Sequence, residues 1–588
     1  MPRPWLTTML AALLVAAIAS PVSAALPAED PVEPPPVEEV TTPPNVLLIL
    51  TDDQRIGTEV AMPTVMSELA AKGVTYTQAF VPTSWCCPSR ASLLTGNFAH
   101  RTGVWQNAVS SAWGGWPAFT YGGEDAETLA TRLDDAGYNT GLFGKYLNGT
   151  ELARGKVPPG WDTWAAFLGG NHVRYRLTSD PDPVPGVRRY LTDELADQAI
   201  EFMQATPEDQ PFFTYYAPYA PHYPFDPGPY AGLTRADGLL DDVKRASRFT
   251  SPSTNQDDMS TYPEWMQKLP KSELWDMEGR NQTVDITLDD VVENQSDMLR
   301  GIDTAVGRMI DTLRESGRLE NTLIVFMSDN GFAWGEHRLQ GKNTPYDVSV
   351  RVPLVMRFDG TLPAGVKDSR VVAANVDVHA TILDLLGLPA TDIDGKSTRS
   401  YWRDGVVMEA TSWGGQWDRP AYCGFRTAQH LYVRYATGEE ELYDYARDPH
   451  ELRNVAASPV YRALRENLFT RARASCDPSP PGFVWSDDTL PLAPPEDVQL
   501  RTIGRSGLIV TWRAPENVGA VLPTYHVYVK PSPWTEPACV LNSVGLSHGL
   551  RCRIEVAGKR RNARITVVAV RGDEQRAAPA VSRRDYRR

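Results

Sequence analysis

The stretch SWCCPSRASLLTG, Ser84–Gly96, sets two adjacent cysteines against a proline, a serine and an arginine. Neighbouring cysteines seldom bridge each other without strain, because one peptide unit is too short for relaxed disulfide geometry. Pro88 suits the first position of a helix and Gly96 its stop, so both thiols stand at a helix N-terminus. Free N–H groups there favour anions by roughly 0.3–1 kcal/mol. Arg90 adds a fixed cation with a planar fork that fits a tetrahedral oxyanion. The chemistry this suggests is attack on an anionic ester, with a cysteine as nucleophile. For an isolated pair, a vicinal disulfide or two packed thiols would be the competing reading. Two further doublets change the balance. LILTDDQ ends in Asp52 and Asp53, and VFMSDNG ends in Asp329 and Asn330. Adjacent carboxylates are costly to bury unpaired. A hard divalent cation removes that cost, and this oxygen set suits Ca²⁺ or Mg²⁺. One doublet alone could equally be a helix cap or a solvated loop; two, each after an apolar run, favour a metal.

Those residues need a scaffold. Val46–Leu50 is a continuous apolar run, the pattern of a strand buried on both faces of a parallel sheet. NTGLFGKY, PFFTYYAPYAPH and NTLIVFMSDNG read as further strands ending in loops, and MPTVMSELAAKG and SDMLRGIDTAVGRMIDTLRESG as helices. Alternating strands and helices predict an α/β domain with a mainly parallel sheet, whose ligands sit at the carboxyl ends of strands. The pattern gives a catalytic domain over 45–374 and a small α+β subdomain over 375–476. A Pro-rich linker, 477–495, leads to an all-β sandwich at 496–585 that resembles a fibronectin type III module, with Trp512 and Tyr525 near core positions.

The first 24 residues carry Arg3, an apolar run and a small-residue cleavage site at Val22-Ser23-Ala24, as a signal peptide does. Residues 25–44 form a Pro- and acid-rich leader expected to be disordered. No run is apolar enough for a membrane span, so the mature chain is expected to be exported and soluble. A net charge of −15 argues against nucleic acid as a partner. Export implies an oxidising compartment, where cysteines pair. Cys539 and Cys552 suit a local bridge and Cys423 and Cys476 another, which would leave Cys86 and Cys87 over.

CCPSRASLLTG matches the C-x-P-S-R-x-x-x-x-T-G signature of the type I sulfatases, and NVLLILTDDQ, FGKYLNG, APHYP, SDNG and ELYDYARDPHELRNVA follow in that family's order. The resemblance spans about Asn45 to Cys476. TDDQ, CCPSRAS and GKYLN are most similar to the N-acetylglucosamine-6-sulfatase and heparan endosulfatase branch and its exported arylsulfatase relatives. It implies an alkaline-phosphatase-like fold. It also implies that a maturation enzyme converts Cys86 to Cα-formylglycine, whose hydrate attacks sulfur with one hydroxyl and expels sulfate with the other. Cys87 falls at a variable position. By the same resemblance, Asp52, Asp53, Cys86, Asp329 and Asn330 hold one Ca²⁺. Arg90 steadies the nucleophile, Lys145 and Lys342 clamp sulfate oxygens, and His222 contacts the ester oxygen and protonates the leaving alcohol.

The motif departs from many sulfatases at Leu147, where a histidine is common. His337 and His100 are then candidates for the base of the second step, His100 with a structural role ranked first. The expected activity is hydrolysis of a sulfate monoester on a small molecule or glycan, such as a 6-O-sulfated amino sugar or an aryl sulfate. The alternatives are a formylglycine-dependent phosphodiesterase or phosphonate monoester hydrolase, and a non-catalytic glycan-binding protein. Substrate contacts are expected from Val109–Gly123 and from the insertion at about 228–289.

Overall fold

Val46 to Leu50 have no accessible surface in the computed structural model, as a strand covered on both faces requires. The structure describes residues 43–179, 189–249, 251–271, 274, 286–413 and 418–485, together with the strands between 496 and 582. The expected signal peptide, nearly all of the leader and part of the linker lie outside the described residues. Among the described residues no helix is long and apolar enough to cross a membrane.

The strand β1, Asn45–Thr51, lies at the centre of a nine-stranded sheet. Its companions in chain order are β2 (Val74–Phe80), β3 (Asn139–Gly144), β4 (Thr163–Gly170), β5 (Tyr175–Leu177), β6 (Phe212–Ala217) and β7 (Thr322–Ser328). A two-stranded ribbon, β8 (Ala333–Trp334) and β9 (Gln340–Gly341), precedes the last two members, β10 (Leu354–Arg357) and β11 (Val366–Ala373). The spatial order is β11-β2-β10-β7-β1-β6-β3-β4-β5. β1 runs parallel to β6 and β7, and β3 parallel to β4 and β6; β10 is antiparallel to β2 and β7. The sheet is therefore mixed but mostly parallel, as the alternating pattern predicts.

Period-two alternation divides the core. Leu47 and Ile49 join Ile324 and Phe326 beneath the long helix Leu288–Glu315, while Val46, Leu48 and Leu50 join Leu323, Val325 and Met327 on the other face. The long helix starts at a capping box between Thr287 and Asp290. On the second face lies the helix Cys86–Thr95, buried at every position. It begins two residues earlier than expected, with Cys86 itself at the first helical position and Pro88 at the third. Pro88 still costs no hydrogen bond there, because first-turn N–H groups have no intrahelical acceptor. Gly96 ends it at φ 74°, as its position predicts. The helix Val376–Leu385 packs beside it, with Val378, Ile382 and Leu383 in the same core.

A separate antiparallel sheet follows: β12 (Val406–Ala410), β13 (Tyr422–Arg426), β14 (His430–Tyr435) and β15 (Glu440–Asp444). The helix Arg462–Ser475 lies against it, and a Cys423–Cys476 disulfide ties the end of that helix to β13. This is the expected pairing, and Cys86 and Cys87 are both free thiols. The described strands between 496 and 582 form two antiparallel groups, one of Glu496–Ile503, Gly507–Arg513 and Leu550–Glu555, the other around Thr524–Lys530 and Arg564–Arg571. Trp512 is buried. The side chains of Tyr525, Cys539 and Cys552 lie outside the described residues.

His379 is fully buried beside the Cys86–Thr95 helix, where its Nδ1–H donates to the Leu93 carbonyl at 3.0 Å. Burial holds its pKa down at about 4. The unfolded chain then binds a proton near pH 6.5 that the folded chain refuses, so stability is present above about 6.5 and is lost as pH falls towards 4. The loss from this residue should total about 3 kcal/mol. Chemical denaturation at pH 7 and pH 5 should show a shallower loss for His379→Gln than for the parent; equal slopes would contradict the assignment.

Candidate active site

The register of β1 against β7 assembles the site. Thr51 stands opposite Ser328, so the next residues of both strands, Asp52-Asp53 and Asp329-Asn330, leave the sheet side by side. Asp53 adopts φ 70°, and its N–H donates to Asp329 Oδ1 at 3.1 Å. Asn330 Nδ2 donates to Asp53 Oδ1 at 2.7 Å. On the other side of β1, β3 ends at Gly144, whose φ of 120° and tight approach to the Ala217 carbonyl leave no space for a Cβ. That turn delivers Lys145, which pairs with Asp52. The chain after β6 brings His222 to Asp53, with Nε2 3.6 Å from Oδ2.

The Cys86–Thr95 helix supplies the rest. Cys86 Sγ lies 3.4 Å from Asp52 Oδ1 and 2.8 Å from Lys342 Nζ, and Lys342 also pairs with Asp53. Arg90, one turn along, donates from Nε to Asp329 Oδ2 and from NH1 to the Lys145 carbonyl, both at 2.7 Å. Its NH2 is 3.9 Å from Asp52 Oδ2 and has no hydrogen-bond partner among the described residues. One ligand atom from each of Asp52, Asp53, Cys86 and His222 falls within 4.8 Å of the others. Asp52, Asp53, Cys86, Arg90, Lys145, His222, Asp329, Asn330 and Lys342 are thus brought to one place. The side chains of Asp52, Asp53, Arg90 and Cys86 are closed to solvent, and His222, with 23 % of its side chain exposed, marks the open side.

The charges explain one another. Burial alone would raise the carboxyl pKa of Asp52, but Lys145, His222 and Arg90 outweigh it and hold the group well below the usual range. Asp53 is likewise held low against burial, chiefly by Lys342 and His222. Burial pushes the Cys86 thiol far up, and the Asp52 charge adds to that. An unmodified Cys86 is therefore a neutral thiol, a poor nucleophile. Burial also raises the Cys87 thiol, to about 11; its sulfur accepts the Asn148 N–H at 3.2 Å, facing away into the core. His222 is lowered by burial, with Nδ1 at 2.6 Å from the Tyr223 carbonyl. That contact fixes Nδ1 as the protonated nitrogen and leaves Nε2 for the site.

The donor set fits a hard cation. Four oxygen-bearing side chains converge, and the buried Asn330 Oδ1 has no hydrogen-bond donor among the described residues. An acceptor orphaned in this way, with Nδ2 committed to Asp53, matches the ligand role expected for Asn330.

Sequence reasoning did not foresee what stands behind His222. His172 donates from Nε2 to the His222 carbonyl at 3.0 Å, and the Tyr219 ring stacks against both imidazoles, at 5.2 and 4.6 Å. Nothing in NHVRY marks that histidine. The two candidate bases fall elsewhere. His337 is buried against Tyr262, Tyr346 and Glu451, and His100 binds Glu409 of β12. His337 itself adopts the left-handed conformation, at φ 54°.

A mostly parallel α/β sheet whose acidic strand tips face the N-terminus of the Cys86–Thr95 helix defines an alkaline-phosphatase-like hydrolase fold. A family model described as Sulfatase matches residues 44–388, and the chain belongs to that family. A model described as N-sulphoglucosamine sulphohydrolase, C-terminal, matches residues 335–475. The chain is 28 % identical over 474 residues to an N-acetylglucosamine-6-sulfatase of Capra hircus, covering 71 % of this chain and 80 % of that one. A structure solved in complex with its substrate D-glucosamine-2-N,6-O-disulfate superposes with a TM-score of 0.59 at 23 % identity, over 74 % of this chain and 98 % of the other. A phosphonate monoester hydrolase from Silicibacter pomeroyi superposes with a TM-score of 0.54 at 23 % identity, over 74 % and 95 %.

Cys86→Ala should lower turnover by more than about 10³-fold, whereas Cys87→Ala should keep most of it. Steady-state assays of both variants, with thermal melts as a folding control, decide the matter; equal losses would contradict the assignment.

Proposed function

We propose that this chain is an exported sulfatase that removes a sulfate monoester from a 6-O-sulfated amino sugar, with an aryl sulfate as a simple surrogate. The observation that carries this reading is the convergence of Cys86 with Asp52, Asp53 and His222 at the strand tips. The kinship with glucosamine-6-sulfatases supports the substrate class, and the opening 24 residues support export.

Asp52, Asp53, Asp329 and Asn330 would hold a Ca²⁺ beside residue 86. When bound, the ion would lower the pKa of a ligand oxygen and draw charge from the ester. The chain's own residues do the remaining work. Conversion of Cys86 to formylglycine would replace a thiol that stays protonated with a hydrated aldehyde. Arg90 is fixed at two of its donors and keeps NH2 free to steady an oxygen on residue 86. Lys145 and Lys342 carry ammonium groups paired with Asp52 and Asp53 beside that residue, where they would offset charge growing on sulfate oxygens. His222 presents Nε2 at the open side, where a proton for the departing sugar oxygen would be held. The Tyr219 ring and the Nδ1 contact with the Tyr223 carbonyl keep that ring from turning away, and His172 holds the His222 backbone.

The purified protein should release sulfate from N-acetylglucosamine-6-sulfate and 4-nitrophenyl sulfate much faster than it cleaves a matched phenyl phosphonate ester. Preference for the phosphonate would instead favour the second hydrolase reading. Exhaustive chelation should remove most of the sulfatase activity and added Ca²⁺ should restore it; unchanged activity in metal-free protein would refute the cation. Mass spectrometry of the Ser84–Arg90 peptide should show an aldehyde in place of the Cys86 thiol.

A further inference from the structure

Arg419 is a buried cation without a counterion. It is 2 % exposed, and among the described residues it makes no ion pair. Its NH1 donates to the Pro420 carbonyl at 2.8 Å, and its NH2 to the Thr411 carbonyl at 2.8 Å and to Asn343 Oδ1 at 3.0 Å. Nε has no hydrogen-bond partner among the described residues, and the guanidinium sits 4.9 Å over the Tyr422 ring. Burying an unneutralised guanidinium is expensive. A residue kept only to fill space at that position would be apolar.

What Arg419 grips lies beside the catalytic centre. Asn343 follows Lys342, is 5 % exposed, and takes the left-handed conformation at φ 68°. Its N–H donates to the Ser84 carbonyl at 2.9 Å, and Ser84 is two residues before Cys86. Ser84 Oγ in turn donates to the Thr344 carbonyl at 2.9 Å. The neighbouring strand β12 holds the same arm, because Thr83 Oγ1 donates to the Glu409 carbonyl at 2.9 Å and Glu409 N–H to the Pro82 carbonyl at 3.0 Å. Trp413, at the start of the same loop, meets the Trp85 ring edge-on at 4.5 Å. The C-terminal sheet therefore clasps both the segment leading to Cys86 and the segment carrying Lys342.

We infer that Arg419 is a positioning residue for the reaction: through Asn343 it holds the Lys342 ammonium in register with residue 86. A flexible lysine has four rotatable bonds, and only its backbone can be fixed from outside. The Arg419–Asn343 bond fixes it one residue away, and the Asn343–Ser84 bond refers it to the nucleophile segment. A lysine at 419 could not reproduce the fork that spans Thr411, Pro420 and Asn343.

The inference rests on Lys342 acting in the site, so the test is a double-mutant cycle on kcat/KM with 4-nitrophenyl sulfate. Arg419→Met should cost roughly 10- to 100-fold in the parent, mainly in kcat, and Arg419→Lys nearly as much. In a Lys342→Met background the same change should cost less than about threefold. Full additivity, with Lys342→Met itself impaired, would overturn this inference and leave the proposed function standing. A Lys342→Met variant as active as the parent would overturn the assignment of Lys342 and this inference with it. Thermal melts accompany each variant. Should Arg419→Met fail to fold, Asn343→Ala carries the same cycle, since it removes the shared acceptor and leaves Arg419 its two backbone carbonyls.

Discussion

Three carboxylates buried at adjoining strand tips are the constraint from which the rest of the site follows. Asp52, Asp53 and Asp329 are at most 2 % exposed, and their repulsion would open the sheet if nothing opposed it. The protein opposes it with Arg90, Lys145 and Lys342, each carried by a different segment. The helix brings Arg90, the end of β3 brings Lys145, and the turn after β9 brings Lys342. Aligning Thr51 with Ser328 is therefore more than a matter of sheet packing. A slip of one residue would turn the acidic pairs away from the cations that neutralise them. Fold and site are set by the same register.

Much of this was legible in the sequence because the relevant patterns are local. An unbroken apolar run followed by a polar doublet marks a central strand and its tip, and both doublets obey that rule. The glycine at 96 announces the end of the nucleophile helix, and the Pro-rich composition of 477–495 separates the strand-rich terminus. Other features depend on distances between remote segments. No local pattern places Lys342 on Cys86 Sγ; only the family motif singles that lysine out. His172, 50 residues before His222, carries no signal, because its role is to support a carbonyl. The closeness of His337 in sequence to Asp329 did not become closeness to the strand tips, since its ring lies against Tyr262 and Tyr346; His100 binds Glu409, in keeping with the structural role ranked first for it. The helix start was misjudged by two residues because proline is tolerated throughout a first turn.

The small C-terminal sheet also bears on the segments that carry Cys86 and Lys342. The nucleophile segment 82–85 has no sheet partner of its own in the main domain, yet it must hold the first turn of the helix against buried charge. β12 and the loop after it supply that support through Glu409, Trp413 and Arg419. The disulfide between Cys423 and Cys476 strengthens the same subdomain from its outer side. This region and the segment leading to residue 86 are therefore joined through a handful of bonds.

Cys86 has no accessible surface once the chain is folded, and the side chains against its sulfur come from positions as distant as 52 and 342. An enzyme that converted this side chain, as proposed above, would reach it only before the later of those segments arrives. On the proposed conversion, the order of events during synthesis would govern activity: a copy that closed too early would stay sealed around an unconverted thiol, correctly folded and permanently idle.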